Sequence, residues 1–189
     1  MKAVLGIAIV AVVALVVGCA APALSAAETA YRNALIDHHE RMHEKALQGP
    51  GDDQSAEAYY TSMMYLALEG MDKNTKNRFL EQIRLQDPHE GKYLAPPANM
   101  AHIQEEYNQA MLRYTEGYLN YRRAVLFSKM SGEELVMSFL DGEDQVTWDI
   151  DPSENIDRSV RWGREAFESG DAHIARTQEL MRKFVRHGV

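Results

Sequence analysis

The stretch that decides the fold covers residues 100–130 and reads MAHIQEEYNQAMLRYTEGYLNYRRAVLFSKM. Its apolar residues recur at intervals of three or four, at Ile103, Tyr107, Met111, Tyr114, Tyr118, Tyr121 and Val125. This spacing places them on one face of an α-helix. At a rise of about 1.5 Å per residue the helix is about 45 Å long. The sequence therefore predicts one long amphipathic helix, with Asn99 as its N-cap, against which other segments pack.

The segments on both sides of this helix have the same periodicity, and glycine, proline and serine separate them. Gly49-Pro50-Gly51 is predicted to end the first helix, and Asp87-Pro88 to end the second. After the apolar N-terminal segment at residues 1–18, no run of residues alternates with the period of two that is typical of strands. The predicted helices cover residues 28–48, 55–86 with a weak point at Gly70, 100–130, 133–140, 153–168 and 172–187.

The closing part of the chain is predicted to form a helical hairpin. Ser153 is the expected N-cap of its first helix, and Ser169-Gly170-Asp171 is the expected turn. The spacing of Gly163, Gly170, Asp171 and Ala175 resembles one unit of the tetratricopeptide repeat, in which small residues let two helices pack closely. No second copy occurs upstream, so the resemblance implies an antiparallel helix pair and not a solenoid. The fold class expected from all of these segments is all-α, an elongated antiparallel helical bundle that forms one domain over residues 28–189.

The N-terminus has the layout of a secretory signal. Lys2 precedes an unbroken apolar run over residues 3–17, which is short for a membrane-spanning helix. The residues Val16-Val17-Gly18-Cys19 resemble the lipobox of bacterial lipoproteins. The resemblance implies a cleaved signal peptide at 1–18, acylation of Cys19, as with palmitate, and a lipid-anchored tether at 19–27. Ala20 replaces the aspartate that retains such proteins in the inner membrane, which implies the outer membrane and a body in the periplasm.

Two other interpretations of the leader stay open at the level of sequence. A conventional signal peptidase could cut after a small residue such as Ala23, or the leader could stay uncleaved as an anchor. Cys19 is the only cysteine in the chain and lies where the lipid-transfer chemistry would use it. A lone cysteine cannot form an internal disulfide, so lipidation is the preferred prediction.

The charge of the chain argues against a nucleic-acid partner. The net charge is -8, with 20 Lys and Arg against 28 Asp and Glu, whereas phosphate binding requires a basic face. The charge is also unevenly distributed. Nine acidic residues and no Lys or Arg lie between 133 and 157, while 158–187 contains seven basic and four acidic residues. These two stretches are expected to pair or to form opposite patches.

The motif His39-Glu40-Arg41-Met42-His43 reads HExxH, the pattern of zinc peptidases. Two histidines one helical turn apart can share a zinc ion, and the glutamate can act as general base. A helical wheel places Tyr31, Leu35, His38 and Met42 in the apolar stripe, with His39 and His43 on its shoulder. Because the wheel also turns Glu40 toward water, and because Glu69 is the only suggestive third ligand, a zinc peptidase is the least favoured alternative.

A milder alternative is a metal-binding protein without catalysis. His38, His39 and His43, helped by Met42 or methionines of the second helix, could bind zinc or copper. The site residues in that case are His39 and His43. The ten methionines, several of them at core spacing, are better explained as core residues that fill gaps between helices. The preferred prediction therefore includes no cofactor.

The function that the sequence favours is a lipid-anchored protein of the cell envelope that acts as a protein-interaction or structural accessory module, and not as an enzyme. Its expected partners are the membrane, through the lipid, and another envelope protein. Aromatic residues along the long helix, together with Trp148 beside the acidic loop, suit either a protein contact or core packing.

Overall fold

The computed structural model describes residues 23–51, 54–86, 89–129 and 152–187. Within these ranges the chain forms five α-helices, one short 3-10 turn and no strand, which confirms the all-α class and the helical bundle. The elements are α1 (Ala26–Gln48), α2 (Ala56–Glu69), α3 (Lys73–Gln82), the 3-10 turn (Ala98–Met100), α4 (Ala101–Lys129) and α5 (Pro152–His187).

The N-termini of the first three helices are closed by side-chain caps. Ser25 and Glu28 form a capping box on α1, and Ser55 and Asp72 cap α2 and α3. The prediction that Asn99 caps α4 is wrong. Asn99 lies inside the 3-10 turn that leads into α4, and its amide donates instead to the Glu28 carboxylate at 2.6 Å.

The predicted second helix is divided at Gly70, where the sequence indicated a weak point. Its second half, α3, ends at Gln82, four residues earlier than expected from the break at Asp87-Pro88. Arg84 has φ of +50°, in the left-handed region, so the backbone has already left the helix there.

Helix α4 lies at the centre of the bundle, and α2 lies antiparallel to it. The contacts run in opposite chain directions, with Arg122 on Glu57, Tyr121 on Tyr60, and Gln104 on Gly70. Helix α1 runs in the same direction as α4, because Tyr31 bonds Gln104 and His38 bonds Tyr107. These three helices enclose most of the apolar core.

Helix α5 also lies antiparallel to α4 and packs along it. The facing pairs are Tyr114 with Gly170, Gly117 with Phe167, and Tyr121 with Gly163. A Cβ at Gly117 would lie 2.8 Å from the Phe167 ring, so the missing side chain makes room for the aromatic ring across the interface. The two helices can thus approach closely where glycine and aromatic residues alternate.

The predicted hairpin at the end of the chain is wrong. Helix α5 is continuous over 36 residues and is the longest helix of the described chain, so Ser169-Gly170-Asp171 is not a turn and the tetratricopeptide-like pair does not form. Gly170 has a packing role, because a Cβ there would lie 2.6 Å from the Tyr114 ring. Asp171 accepts a 2.7 Å hydrogen bond from the Tyr114 hydroxyl. Ser153 is not the N-cap either, since the helix already begins at Pro152.

The core contains methionines, as the sequence favoured, and the tyrosines that the sequence left open between packing and partner contact. Met63, Met71, Met100 and Met111 are fully buried, which confirms their role as core residues. On α4, the aromatic residues Tyr107, Tyr114, Tyr118 and Phe127 are buried as well. Within the part of the chain that the structure describes, no helix has the length and apolar character needed to cross a bilayer. The leader with Cys19, the predicted helix 133–140, the acidic loop and Trp148 lie outside the described residues.

Candidate functional site

The histidine-containing face of α1 has the orientation that its helical wheel predicted. The buried residues of the helix are Tyr31, Leu35, His38 and Met42. His39 and His43 are partly exposed on the shoulder of this stripe, and Glu40 is exposed to solvent. The glutamate of the HExxH pattern is therefore turned toward solvent, as the helical wheel predicted.

His38 is 1 % exposed, and both of its ring nitrogens are hydrogen-bonded. Its Nε2 lies 2.8 Å from the carbonyl oxygen of Leu66, which can only accept, so Nε2 carries the proton. Its Nδ1 therefore accepts from the Tyr107 hydroxyl at 2.7 Å. Burial lowers the pKa of His38 to about 4, and the Leu66 hydrogen bond opposes this only in part. His38 is a neutral structural residue at neutral pH.

Gly70 makes this arrangement possible at the end of α2. The Gly70 N–H donates to the Ala67 carbonyl, one residue later than the regular helical acceptor, Leu66. The Leu66 carbonyl is thereby released to His38. A Cβ at Gly70 would lie 2.4 Å from Cε1 of the His38 ring, so only glycine fits beside the imidazole.

A continuous chain of buried hydrogen bonds extends from α1 to α3. The Tyr31 hydroxyl donates to Gln104 at 2.9 Å, and the Gln104 amide donates to the Gly70 carbonyl at 3.0 Å and to Asn108 at 2.7 Å. Asn108 in turn accepts from the Asp72 N–H at 3.0 Å and donates to the Asp72 carboxylate. These polar groups are bonded to one another, which is what a buried network needs in order to be stable.

Asp72 ends this network and begins α3. Its carboxylate accepts from the backbone N–H groups of Asn74 and Thr75 and from the Thr75 hydroxyl. Burial alone would raise the pKa of Asp72, but the hydrogen bonds from Thr75 and Asn108 outweigh it and leave the pKa below its usual value. Asp72 is therefore ionised at neutral pH and is used for structure.

Glu69 is the acidic centre of a neighbouring ion cluster. Its carboxylate lies 3.1 Å from the Arg41 guanidinium, 2.8 Å from the His89 ring and 3.4 Å from the Lys92 ammonium. Burial acts to raise the pKa of Glu69, but Arg41 and Lys92 together hold it below the usual value. The suggestion that Glu69 is a third metal ligand is therefore wrong, because its carboxylate is occupied by these cations.

A buried lysine fixes the loop at residues 89–94, which contributes His89 and Lys92 to the ion cluster around Glu69. Lys76 is 2 % exposed, and its ammonium donates to the carbonyls of His89 at 3.1 Å and of Lys92 at 2.8 Å. The Leu94 N–H donates to the Met71 carbonyl at 2.9 Å. The loop is thus held against α3 by bonds at several points along its length.

An open groove of about 510 Å³ lies between the start of α3, the loop at residues 93–96 and the first turns of α4. The paired side chains of Asp72, Gln104 and Asn108 are among its lining residues. Tyr93 also lines the groove and is 41 % exposed, so part of its side chain is accessible to a bound molecule. The charged residues along the groove include Lys73, Arg78 and Glu105, so both signs of charge are available to a bound molecule.

The two residues predicted as metal ligands lie on the opposite shoulder of the same helix from this network. Nδ1 of His39 is buried and has no hydrogen-bond partner within the described part of the chain. Burial and the nearby charge of His43 both lower the pKa of His39. Among the described residues, no three His, Cys, Asp or Glu side chains are placed so that they could hold one metal ion. Binding of zinc or copper by His39 and His43 stays a prediction.

Sequence reasoning missed the groove and the polar network. One signal was available, because Gln104 and Asn108 are one helical turn apart and lie beside the apolar positions Ile103 and Tyr107. Polar residues on a core-facing stripe indicate a buried hydrogen-bond network. Nothing local indicated that Tyr93 borders a groove. Comparisons of the chain with protein-family models, curated proteins and solved structures find no match.

Proposed function

We propose that this protein is a lipoprotein of the cell envelope that binds another envelope protein and performs no catalysis. Support for the anchor comes from the sequence Val16-Val17-Gly18-Cys19, which resembles a lipobox. The expected location is the outer membrane, with the helical bundle in the periplasm. Support for a binding role comes from the groove beside α3.

The observation that carries the binding role is the exposure of Tyr93 on a rigid support. Leu94, the next residue, is hydrogen-bonded to Met71, and the loop before it is fixed by Lys76. A half-exposed tyrosine on a fixed backbone offers a large contact area, and the backbone need not be ordered when a partner binds. Because the carboxylate and amides of Asp72, Gln104 and Asn108 already bond each other, the groove suits docking of a protein segment better than acid-base chemistry.

A site-specific photo-crosslinker tests this role in intact cells. Tyr93 is replaced by a photoreactive phenylalanine analogue, and Leu47, which is 67 % exposed at the end of α1, is replaced by the same analogue as a matched control. We expect one defined crosslinked product from position 93 and none of that mass from position 47. Mass spectrometry of the product identifies the partner.

A binding measurement with the purified partner completes the test. Tyr93→Ala is expected to weaken the affinity by about tenfold or more, which corresponds to about 1.4 kcal/mol, because exposed tyrosines at interface centres contribute on this scale. Leu47→Ala is expected to leave the affinity unchanged. Equal crosslinking from the two positions, or equal affinity of wild type and Tyr93→Ala, contradicts the assignment of the groove.

A second candidate function is binding of zinc or copper by His39 and His43. The observation in its favour is the buried Nδ1 of His39, which has no hydrogen-bond partner among the described residues. A zinc site built from protein ligands usually has three or four of them. We therefore place this candidate second.

A further inference from the structure

Three helix ends meet at one end of the bundle. The Glu28 side chain, in the first turn of α1, accepts from Asn99 just before α4. At the start of α4 the His102 ring lies 6.5 Å from the ring of Phe184, near the end of α5. We call this the proximal end and define it by residues 25–31, 98–104 and 181–187. The N-terminal segment of the chain emerges here.

The part of α5 at the proximal end is basic. Its last two turns contain Arg182, Lys183, Arg186 and His187, all of them exposed, and no acidic residue follows Glu179 in the chain. Lys183 pairs with Glu179 at 2.6 Å, and the Nε of Arg182 donates to the Gln178 carbonyl at 3.3 Å. The guanidinium groups of Arg182 and Arg186 remain exposed to solvent at the proximal end.

At the opposite end, the sequence that connects α4 to α5 is acidic. Helix α4 ends at Lys129 and α5 begins at Pro152, so residues 130–151 connect the two helices, and we call the end of the bundle formed by Lys129 and Pro152 the distal end. These 22 positions include seven acidic residues and no Lys, Arg or His, in a chain whose net charge is -8. Because α5 has 36 residues, the two ends are about 50 Å apart. The proximal end of α5 is therefore basic, whereas the connecting sequence that adjoins the distal end is acidic.

The proposed lipid anchor brings the proximal end close to the membrane. Six residues lie between Cys19 and Ala26, the first residue of α1, so seven Cα–Cα steps join the two. Even when fully extended they span only about 25 Å. Electrostatic attraction to lipid headgroups decays over about 8 Å at physiological ionic strength. The basic end of α5 is thus within reach of the surface, whereas the acidic end can stay several screening lengths away.

We propose that the proximal end of α5 binds anionic phospholipid headgroups through Arg182 and Arg186 and holds the bundle upright on the membrane. This inference rests on the proposed lipid anchor. The anionic surface attracts the basic end and repels the acidic end, so both charges favour the same orientation. The groove at Tyr93 then has a fixed height above the bilayer.

The test uses the full-length lipidated protein in vesicles. A single cysteine is introduced at His187 or at Ser153, at the two ends of α5, and is labelled with a fluorophore. Vesicles consist of phosphatidylcholine alone or of phosphatidylcholine with phosphatidylglycerol, and both contain an energy-transfer acceptor on a headgroup. We expect energy transfer from position 187 to be higher on the anionic vesicles than on the neutral ones. On the anionic vesicles, transfer from position 153 is expected to be lower than transfer from position 187.

Matched charge reversals separate a specific contact from a general effect of charge. Arg182→Glu with Arg186→Glu changes the proximal end, and Arg161→Glu with Arg164→Glu makes the same change in charge near the distal end; all four residues are exposed on α5. On anionic vesicles, the proximal double variant, or high salt with the wild type, is expected to lower energy transfer from position 187 to its value on neutral vesicles. The distal double variant is expected to keep the higher transfer that wild type shows on anionic vesicles. Circular dichroism checks that both variants are folded.

The outcomes distinguish this inference from the proposed anchor. Equal transfer from position 187 on the two kinds of vesicle, or an equal loss with the two double variants, overturns the membrane contact while the anchor stands. If the protein without an introduced cysteine takes up the thiol label, Cys19 is not acylated. The proposed anchor is then wrong, and the inference fails with it.

Discussion

The hydroxyl of Tyr107 donates a 2.7 Å hydrogen bond to Nδ1 of His38, and this contact joins the centre of α4 to the centre of α1. Both side chains are almost fully buried, so water cannot replace either partner. The bond also fixes the tautomer of His38, because the ring must donate through Nε2 to Leu66. The stability of the bundle should therefore depend on this pair.

Tyr107→Phe removes the donor and leaves a buried, unpaired ring nitrogen. We expect the free energy of unfolding to fall by about 1–3 kcal/mol. Urea unfolding followed by circular dichroism measures the change. Tyr93→Phe is the matched control, because its hydroxyl belongs to a side chain that is 41 % exposed and should contribute little. Equal stabilities of the two variants would contradict the structural role of the His38 contact.

Acid should destabilise the protein through His38. The pKa of His38 is about 4 in the folded protein and 6.5 in an ordinary environment, so in this window the unfolded chain binds the extra proton. The contribution of neutral His38 to the free energy of unfolding is complete above about pH 6.5. It decreases as the pH falls toward 4, by about 3 kcal/mol in total.

The His38→Gln variant isolates this contribution, since glutamine can still donate to the Leu66 carbonyl but does not titrate. We expect the slope of unfolding free energy against pH between about 6.5 and 4 to be smaller in this variant than in wild type. Exposed His187 supplies the control variant, His187→Gln, for which the slope should match wild type. An unchanged slope in His38→Gln would show that His38 is not the titrating group.

The contact between Gly170 and Tyr114 predicts a large effect of one methyl group. Gly170→Ala places a Cβ 2.6 Å from a ring whose hydroxyl is held by Asp171. The clash should cost about 1–3 kcal/mol, more than the gain of up to about 1 kcal/mol from the higher helix propensity of alanine. Gly163→Ala is the matched control on the same helix, because its nearest contact would be 3.2 Å. Thermal unfolding should rank Gly170→Ala well below Gly163→Ala, and the reverse order would contradict close packing at Gly170.

Lipidation predicts that Cys19→Ser abolishes both acylation and normal processing of the leader, because Cys19 is the only cysteine that can form the thioether. Cells are labelled with a fatty-acid analogue, and the protein is isolated. Label is expected in wild type and in Ala20→Ser, a neighbouring control, but not in Cys19→Ser. Equal labelling of wild type and Cys19→Ser would exclude this anchor.

The two functional candidates differ in what they predict for His39 and His43. Under the protein-interaction candidate, both are partly exposed residues on a helix shoulder. His39→Ala and His43→Ala should each lower the free energy of unfolding by less than about 1 kcal/mol, and added zinc or copper should not change the melting temperature. Elemental analysis of the dialysed protein provides the second measurement. Stoichiometric metal in wild type that is lost in either single variant would favour the metal-binding candidate, since a bound metal stabilises the folded state.

Several local features could be predicted from the sequence because they depend on neighbouring residues. The stripe containing Leu35 and Met42 follows from helical spacing alone, and so do the exposed position of Glu40 and the break at Gly70. The sequence could not decide in this way whether the chain turns at Gly170 or continues as one helix. A glycine between two helical segments is compatible with a turn or with a close contact, and the choice depends on Tyr114, which is 56 positions away in the chain.

By itself, the sequence determined the helical class, the extent of α1, the inward face of α1 and the break at Gly70, because periodicity and capping are local properties. Only the tertiary structure decided that Glu69 pairs with Arg41, that His38 is neutral, and that a groove exists beside Tyr93. These features join segments far apart in the chain, and their energies come from burial and from hydrogen-bond partners that no local pattern specifies. The difference in charge between the two ends of α5 depends on both the sequence and the tertiary structure. The sequence supplies the acidic and basic stretches, and the unbroken 36-residue α5 places its basic end about 50 Å from Pro152, the residue that follows the acidic stretch in the chain.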